Sequence, residues 1–389
     1  MFKIIIHYIH GAKFVLDVIF YFLLFPVAFV IYGRKKIWLV SEVNFDARDN
    51  GYHFFKYINL KHREINSYYL IKKTNPMYSA VALVGKTLEP GTLKHWLIYI
   101  ASKYKIFTYV HGCCPNYHIQ LLMKHIHSPG KSIALKHGVF KNLHPNYFKK
   151  NAHLDMICCG AEPEYKFVDG NFGYDRHVAK YTGLARFDNL HNYVVENEVL
   201  IMPTWRRWLN NIQSLEEFKQ TEYYKNWFGF LSDKRVTDMA EKYNLVFYYY
   251  VHPTLNRYLD IFKDVVPNVV FLNSNEGNNI QSHLKSAKLL ITDYSSVFFD
   301  FAYMRKPALF YQFDEDKYYK LHYIKAYFDY RKNGFGPVLM NREDLINELQ
   351  KIITADFVLK RCFLENVNNF FPLNDACNCE RIYNAIINL

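Results

Sequence analysis

Leu289-Leu290-Ile291-Thr292 is a short apolar run that ends on Asp293-Tyr294-Ser295-Ser296. After Val297-Phe298-Phe299-Asp300-Phe301-Ala302 comes Lys306-Pro307-Ala308-Leu309-Phe310-Tyr311, a second apolar run that follows a proline. A buried strand, an elbow of small polar residues, a helix start and another buried strand make a βαβ unit, which commits the chain to a parallel sheet with crossover helices. Such an elbow points free backbone N–H groups at the helix start, where an anion can bind. The hydroxyls of Ser295 and Ser296 are placed to cap the helix or to contact a phosphate. An ordinary turn with a serine cap satisfies the same pattern, so these residues define a fold before they define a site.

The same alternation runs through the chain. Short β-branched or aromatic runs at 36–41, 66–72, 79–83, 106–109, 131–136, 156–159 and 178–181 read as strands, with helical patterns at 49–60, 91–102 and 116–124. A polar, irregular stretch at 191–197 then separates a second series. It has strands at 199–202, 245–250, 269–271, 288–292 and 308–311, a helical stretch within 216–242, and closing helices at 342–353 and 375–387. The 389 residues suffice for two domains, each with its own core. Open parallel sheets bind ligands beyond the carboxyl ends of their strands. His137, Pro203-Thr204, His252 and Asp293 each stand just past such an end.

Residues 14–32 are almost wholly apolar, broken by Asp17 and Pro26, and run into Gly33-Arg34-Lys35-Lys36. This length reaches the threshold for crossing a bilayer, and the basic flank places the following chain in the cytoplasm. An interfacial helix, a single span and a helix buried in the first domain all fit the stretch. No small-residue cleavage site precedes the basic run. The formal net charge of +12 calls for an acidic partner. No nucleic-acid module accompanies it, so nucleic acid is not the expected partner; an anionic membrane surface and a phosphorylated substrate account for the charge. Seven cysteines, two pairs of them adjacent (Cys113-Cys114 and Cys158-Cys159), do not make a disulfide framework. Neither they nor the scattered histidines show a zinc spacing, and no acidic cluster suggests a divalent-cation cage.

Six segments, in order, closely resemble the CDP-glycerol glycerophosphotransferase family, whose members prime and polymerise teichoic acids or build phosphate-linked capsules. Leu135-Lys136-His137-Gly138 resembles its histidine-glycine motif, and Thr182-Gly183-Leu184-Ala185-Arg186-Phe187-Asp188 its glycine-x-x-arginine-x-aspartate segment. Pro203-Thr204-Trp205-Arg206, Val251-His252-Pro253, the stretch from Ile291 to Tyr311, and Phe328-Asp329-Tyr330 with Gly336-Pro337-Val338 complete the set. The resemblance implies an α/β, GT-B-like fold: two Rossmann-like domains facing a central cleft, preceded by an apolar membrane-associating helix. The expected segments are 1–33 (membrane-associating), 34–190 (acceptor domain), 191–372 (CDP-alditol-binding domain) and 373–389 (closing helix).

The implied reaction transfers glycerol phosphate, or a related alditol phosphate, from CDP-glycerol to a lipid-linked or polymeric acceptor. It releases CMP at the cytoplasmic face of the membrane, with no cofactor beyond the CDP-alditol donor and no metal. His137 is the expected general base, and His252 stabilises the departing phosphate. Arg206 grips phosphate, and Ser295 and Ser296, with Tyr294, hold the pyrophosphate. Asp293 takes a ribose or alditol hydroxyl or orients its loop, and Asp300 positions neighbouring groups. Arg186 contacts ligand or pairs with Asp188, while Asn273, Ser274 and Asn275 are placed to read cytosine. The chain departs from the family at Val139-Phe140-Lys141, which leaves acceptor contacts near Lys141 and the acceptor itself open. His111-Gly112 repeats the histidine-glycine pair without further family context and reads as structural. The competing readings are a nucleotide-sugar-dependent GT-B glycosyltransferase and a noncatalytic membrane-anchored assembly protein.

Overall fold

Strand pairing is parallel in both sheets of this protein, in a computed structural model that describes residues 2–33, 35–258, 269–273 and 280–389. The first sheet contains β1 (Trp38–Ser41), β2 (Ser67–Leu70), β3 (Lys86–Leu88), β4 (Tyr104–Phe107), β5 (Lys131–Ala134), β6 (Met156–Cys159) and β7 (Ala179–Tyr181), in the order β3-β2-β1-β4-β5-β6-β7. The second contains β8 (Glu198–Met202), β9 (Val246–Val251), β10 (Val269–Asn273), β11 (Leu289–Thr292), β12 (Ala308–Tyr311) and β13 (Val338–Leu339), in the order β10-β9-β8-β11-β12-β13. Each order reverses once, between β1 and β4 and between β8 and β11, and ligands of such sheets bind at those reversals. Every residue of β1, β4, β6, β11 and β12 is buried, which explains why they are apolar but for Ser41, Lys105 and Thr292.

The helices of the first series are α1 (Phe2–Tyr32), α2 (Asn50–Lys61), α3 (Tyr78–Val84), α4 (Leu93–Ala101), α5 (Tyr117–Leu122) and α6 (Glu162–Asn171). Those of the second are α7 (Leu215–Gln220), α8 (Glu222–Leu231), α9 (Lys234–Lys242), α10 (Ile280–Ser286), α11 (Phe298–Tyr303), α12 (Glu315–Leu321), α13 (Arg342–Thr354) and α14 (Arg361–Phe370), before α15 (Asn378–Ile387) ends the chain. The run at 79–83, expected as a strand, is helix α3; five apolar residues carry no period that separates the two. The stretch 216–242 is three helices because Thr221 and Asp233 each cap a new one, accepting from the N–H groups of Tyr224 and Arg235.

Two compact units result. One comprises Met1–Val139, His144–Asn189 and Asp375–Leu389, the other Phe140–Leu143 and Leu190–Asn374. The closing helix is therefore no separate segment. Asp188 accepts the backbone N–H groups of Asn378 and Cys379, both at 2.8 Å, and so caps α15. Gly183, at φ +77°, lies so close to the Asn378 side chain that a Cβ would collide with it. Ile382 and Ile386 of α15 complete a core with Val40, Ile106, Ile133 and Leu135. The core of the second unit gathers Val199, Ile201, Phe247, Ile291 and Leu349 with Trp227. Residues 140–143 join the second unit through a bridge between Asn142 and Lys325 and a bond from Leu143 N–H to Ile324 O at 3.1 Å.

Helix α1 contains a 22-residue stretch, Gly11–Tyr32, long and apolar enough to cross a membrane. One side packs on α4: Tyr21, Leu24 and Ala28 are buried, and the Phe20 and Trp96 rings meet edge to face at 5.1 Å. The opposite side leaves Leu16, Leu23 and Val30 exposed by 65, 67 and 87%. Asp17 is satisfied by Asn116 Nδ2 at 2.9 Å and by the His118 ring at 2.5 Å.

Candidate active site

His137 leaves the end of β5 through an elbow. Lys136 before it is left-handed at φ +63°, a conformation that costs a non-glycine residue about 1–3 kcal/mol. Two contacts hold it there: a fully buried ion pair of its amine with Glu164, and a 2.8 Å bond from Asn50 Nδ2 to its carbonyl. The elbow turns His137 outward, with its side chain 76% exposed. Its Nδ1–H donates to Asp49 Oδ2 at 2.5 Å, and Arg186 donates to the other oxygen of Asp49 at 2.7 Å and to the His137 carbonyl. An acceptor-only carboxylate at Nδ1 fixes the tautomer and leaves Nε2 as the proton acceptor of the neutral ring. Asp49 raises the pKa of His137 through its charge and its hydrogen bond, against the charge of Arg186. Burial alone would raise the carboxyl of Asp49, but His137 and Arg186 hold it below its ordinary value.

The second unit gathers its polar residues past the ends of β8, β9, β11 and β12. Arg206 is fully buried, and Nε and Nη2 donate to the two carboxylate oxygens of Asp314 at 2.7 and 2.9 Å. Nη2 also lies 2.9 Å from Asp293 Oδ2, and the guanidinium is flanked by the rings of Tyr294 and Tyr318 at 4.9 and 5.3 Å. Asp293 accepts from Thr204 N–H at 2.8 Å, and Gln312 Nε2 donates to the Asp293 carbonyl at 2.9 Å. Arg206 thus ties three strand-end loops together and has no free face for a phosphate, which corrects the expected grip; the bidentate partner is Asp314. Asp293 orients its loop, and Tyr294 is a buried ring stacked on Tyr318 at 3.8 Å rather than a ligand contact.

Ser295 and Ser296 are half-buried, and their carbonyls accept the N–H groups of Phe298 and Phe299 at 3.4 and 3.1 Å. They do not cap α11, whose N-cap is Val297 with no side-chain bond. Asp300 is buried within that helix. Arg186 reaches Asp49, not Asp188, whose oxygens are taken by α15. Ser274 and Asn275 lie outside the described residues, and Asn273 ends β10. Among the described residues no group of three His, Cys, Asp or Glu side chains is arranged to hold a metal ion.

His252 is half-buried, and its Nδ1 meets Thr254 Oγ1 at 2.7 Å and Thr254 N–H at 3.3 Å; with Nδ1 accepting from both, the neutral ring presents Nε2–H as a donor. Burial lowers its pKa to about 4, so it is an uncharged donor at neutral pH. Trp205 lies between it and His322, with ring distances of 5.7 and 4.9 Å. His322, which the sequence did not single out, accepts from Arg207 N–H at 3.0 Å. Lys141 belongs to the same unit. It is 5% exposed, its amine has no hydrogen-bond partner, and burial lowers its pKa to about 7 against the pull of Asp293. Thr204 Oγ1, Gln312 Oε1, Tyr318 OH and Tyr330 OH are also buried without partners. Buried polar atoms are ordinarily satisfied, so such a set around Asp293 marks a place where a polar ligand supplies the missing bonds.

Two parallel α/β units, each with polar residues gathered past the carboxyl ends of its strands, define a GT-B-like fold. Residues 22–388 match the sequence profile of the CDP-Glycerol:Poly(glycerophosphate) glycerophosphotransferase family, and the chain belongs to that family. It is 30% identical over 373 residues to the minor teichoic acid biosynthesis protein GgaB of Bacillus subtilis (strain 168), covering 93% of this chain and 41% of GgaB. The chain therefore spans about two fifths of that relative's length. The fold is similar to that of the wall teichoic acid polymerase TagF, with a TM-score of 0.68 at 14% identity over 97% of this chain and 95% of the other. A histidine variant of TagF soaked with CDPG is similar with a TM-score of 0.66 at 15% identity, over 91% of this chain and 88% of that one.

Proposed function

We propose that this chain transfers glycerol phosphate, or a related alditol phosphate, from CDP-glycerol to a lipid-linked or polymeric hydroxyl acceptor in teichoic acid or capsule synthesis. The observation that carries this reading is the His137–Asp49 pair, an exposed imidazole whose Nδ1 is tied at 2.5 Å. Its Nε2 takes the proton of the acceptor hydroxyl. The acceptor oxygen bonds to the alditol-bearing phosphorus, the bond from that phosphorus to the bridging oxygen breaks, and the electron pair leaves on CMP. In the second unit, His252 Nε2–H, the Lys141 amine and the Ser295-Ser296 turn meet the charge on the leaving phosphate. The first unit is the acceptor half and the second the CDP-alditol half.

Family membership supports the donor class, and the teichoic acid relatives support the pathway class. The outward apolar side of α1, followed by Lys35 and Lys36, supports peripheral binding to an anionic membrane on its cytoplasmic face. The test is CMP release by the purified full chain with CDP-glycerol, CDP-ribitol or a UDP-sugar, each with and without membrane lipid extract and EDTA. The expected result is acceptor-dependent CMP from one CDP-alditol, lost in His137→Ala. Turnover of the UDP-sugar alone would move the chain to sugar transfer, and no turnover by folded protein to a noncatalytic role.

A further inference from the structure

At the reversal between β1 and β4, the first unit contains a cavity of about 610 Å³, lined mainly by the segments that follow those two strands, with Pro90 and Gly91 after β3. His137 follows the next strand over, β5, and is not part of its lining. Glu42 and Phe45 come from the loop after β1, and Tyr109, His111, Tyr117 and Gln120 from the segment after β4. This is the crevice in which open α/β sheets take ligands, yet nothing in the transfer chemistry above uses it.

The chemistry of the wall narrows the occupant. No lysine or arginine lines the cavity among the described residues, so it is not built for a phosphate. Glu42 is occupied: its carboxylate accepts the backbone N–H groups of Arg48, Asp49 and Tyr52 at 2.6–3.1 Å and so closes the N-terminus of α2. His111 is 6% exposed, and its Nε2 has no hydrogen-bond partner. Burial lowers its pKa to about 4, so the ring is neutral and suits a hydroxyl rather than an anion. Its backbone is left-handed at φ +59°, a strained conformation for any residue but glycine. Tyr109 and Tyr117, 46 and 66% exposed, offer flat aromatic surface. The outer wall is also fastened to the membrane-associating helix. Asn116, which caps α5, and His118 in its first turn both bind Asp17 of α1.

We propose that this cavity is the acceptor subsite and takes a saccharide ring, with His111 and Gln120 on its hydroxyls and Tyr109 and Tyr117 against its face. The word acceptor rests on the transfer reading above; the saccharide site does not. A lipid-linked sugar and the sugar of a free polymer end present the same chemistry, and α1 favours the former by holding the wall at the membrane surface.

The test uses the full chain in detergent. Saturation-transfer NMR with methyl N-acetylglucosaminide, methyl glucoside, glycerol 3-phosphate and CDP reads binding without turnover. Saccharide contact is expected in the wild type and about tenfold weaker in His111→Phe and in Tyr117→Ala, with CDP contact unchanged. Tyr117 is exposed, so its variant keeps the test open if His111→Phe does not fold. In the transfer assay both variants are expected to raise the acceptor KM about tenfold at constant donor KM. A lower KM for lipid-linked than for soluble saccharide identifies the lipid source, and the reverse order the polymer end. Wild-type protein that binds CDP but no saccharide, or variants that bind saccharide like wild type, would overturn the proposal. Saccharide binding through His111 without CMP release from any CDP-alditol would instead sink the transfer reading and leave this site standing.

Discussion

A single proton decides what His137 does. The ring must be neutral to accept from the acceptor hydroxyl, and Asp49 raises its pKa above the ordinary value of about 6.5. Turnover should therefore rise with pH through that elevated pKa and fall below it. In Asp49→Asn the raising charge is gone, so the acidic limb of the kcat/KM profile should move to lower pH while the maximum drops. An unmoved limb would detach the pair from the chemistry. His137→Ala should lower kcat by about 10²–10⁴-fold with CDP binding retained, the range for loss of a positioned base.

Lys141 separates binding from stability. Its amine has a pKa of about 7, so above that pH the amine must take up a proton when a phosphate binds beside it, and CDP affinity should weaken as pH rises. Lys141→Met should abolish that dependence and weaken CDP by about 10–100-fold, yet raise the thermal midpoint, since an unpartnered buried amine is removed. Isothermal titration beside thermal unfolding checks both signs. His137 and His252 were legible in the sequence because each stands just past a strand end within a motif that resembles the family's. Asp49 was not, since it lies 88 positions from His137 and no local pattern joins them. Arg206 was legible as important but not for its role, because the carboxylate it grips, Asp314, lies 108 positions away.

The elements matter here chiefly through their ends. Arg206 joins the loops after β8, β11 and β12, so its loss leaves Asp293 and Asp314 buried and unpaired. Arg206→Met should lower the unfolding free energy by about 3–5 kcal/mol, read by urea titration. A ligand-gripping arginine would instead lose CDP binding at unchanged stability. Asp188→Ala, which uncaps α15, should cost about 0.5–2 kcal/mol and leave the His137 pH profile in place. The fold was legible where strands are buried on both sides, as in β6, β11 and β12, because both faces are then largely apolar. It was illegible at α3, whose short apolar run suits either period, and at β13, which has two residues. The return of α15 to the first unit depends on Asp188 and Gly183, far away in the sequence.

For the whole molecule the question is how α1 meets the bilayer. A helix that spanned alone would have no reason to bury Tyr21, Leu24 and Ala28 against α4, nor to pair Asp17 with Asn116 and His118. A helix lying in the interface needs one packed side and one apolar side outward, and Leu16, Leu23 and Val30 supply the second. Deleting α1 would strip the cover from Trp96 and Tyr99 and confuse unfolding with release. The cleaner variant changes Leu16, Leu23 and Val30 together to Gln. Burying three such side chains is worth about 5–9 kcal/mol, so binding to anionic vesicles should fall at least about a thousandfold. The thermal midpoint in detergent should stay within the error of measurement, since these side chains touch little of the protein. CMP release should survive with a soluble acceptor and fail with one held in vesicles. Unchanged flotation with vesicles would mean that α1 crosses the bilayer or that another surface carries the attachment. Equal loss of activity on both acceptors would show that α1 shapes the first unit itself, through the Asp17 contacts, rather than its address.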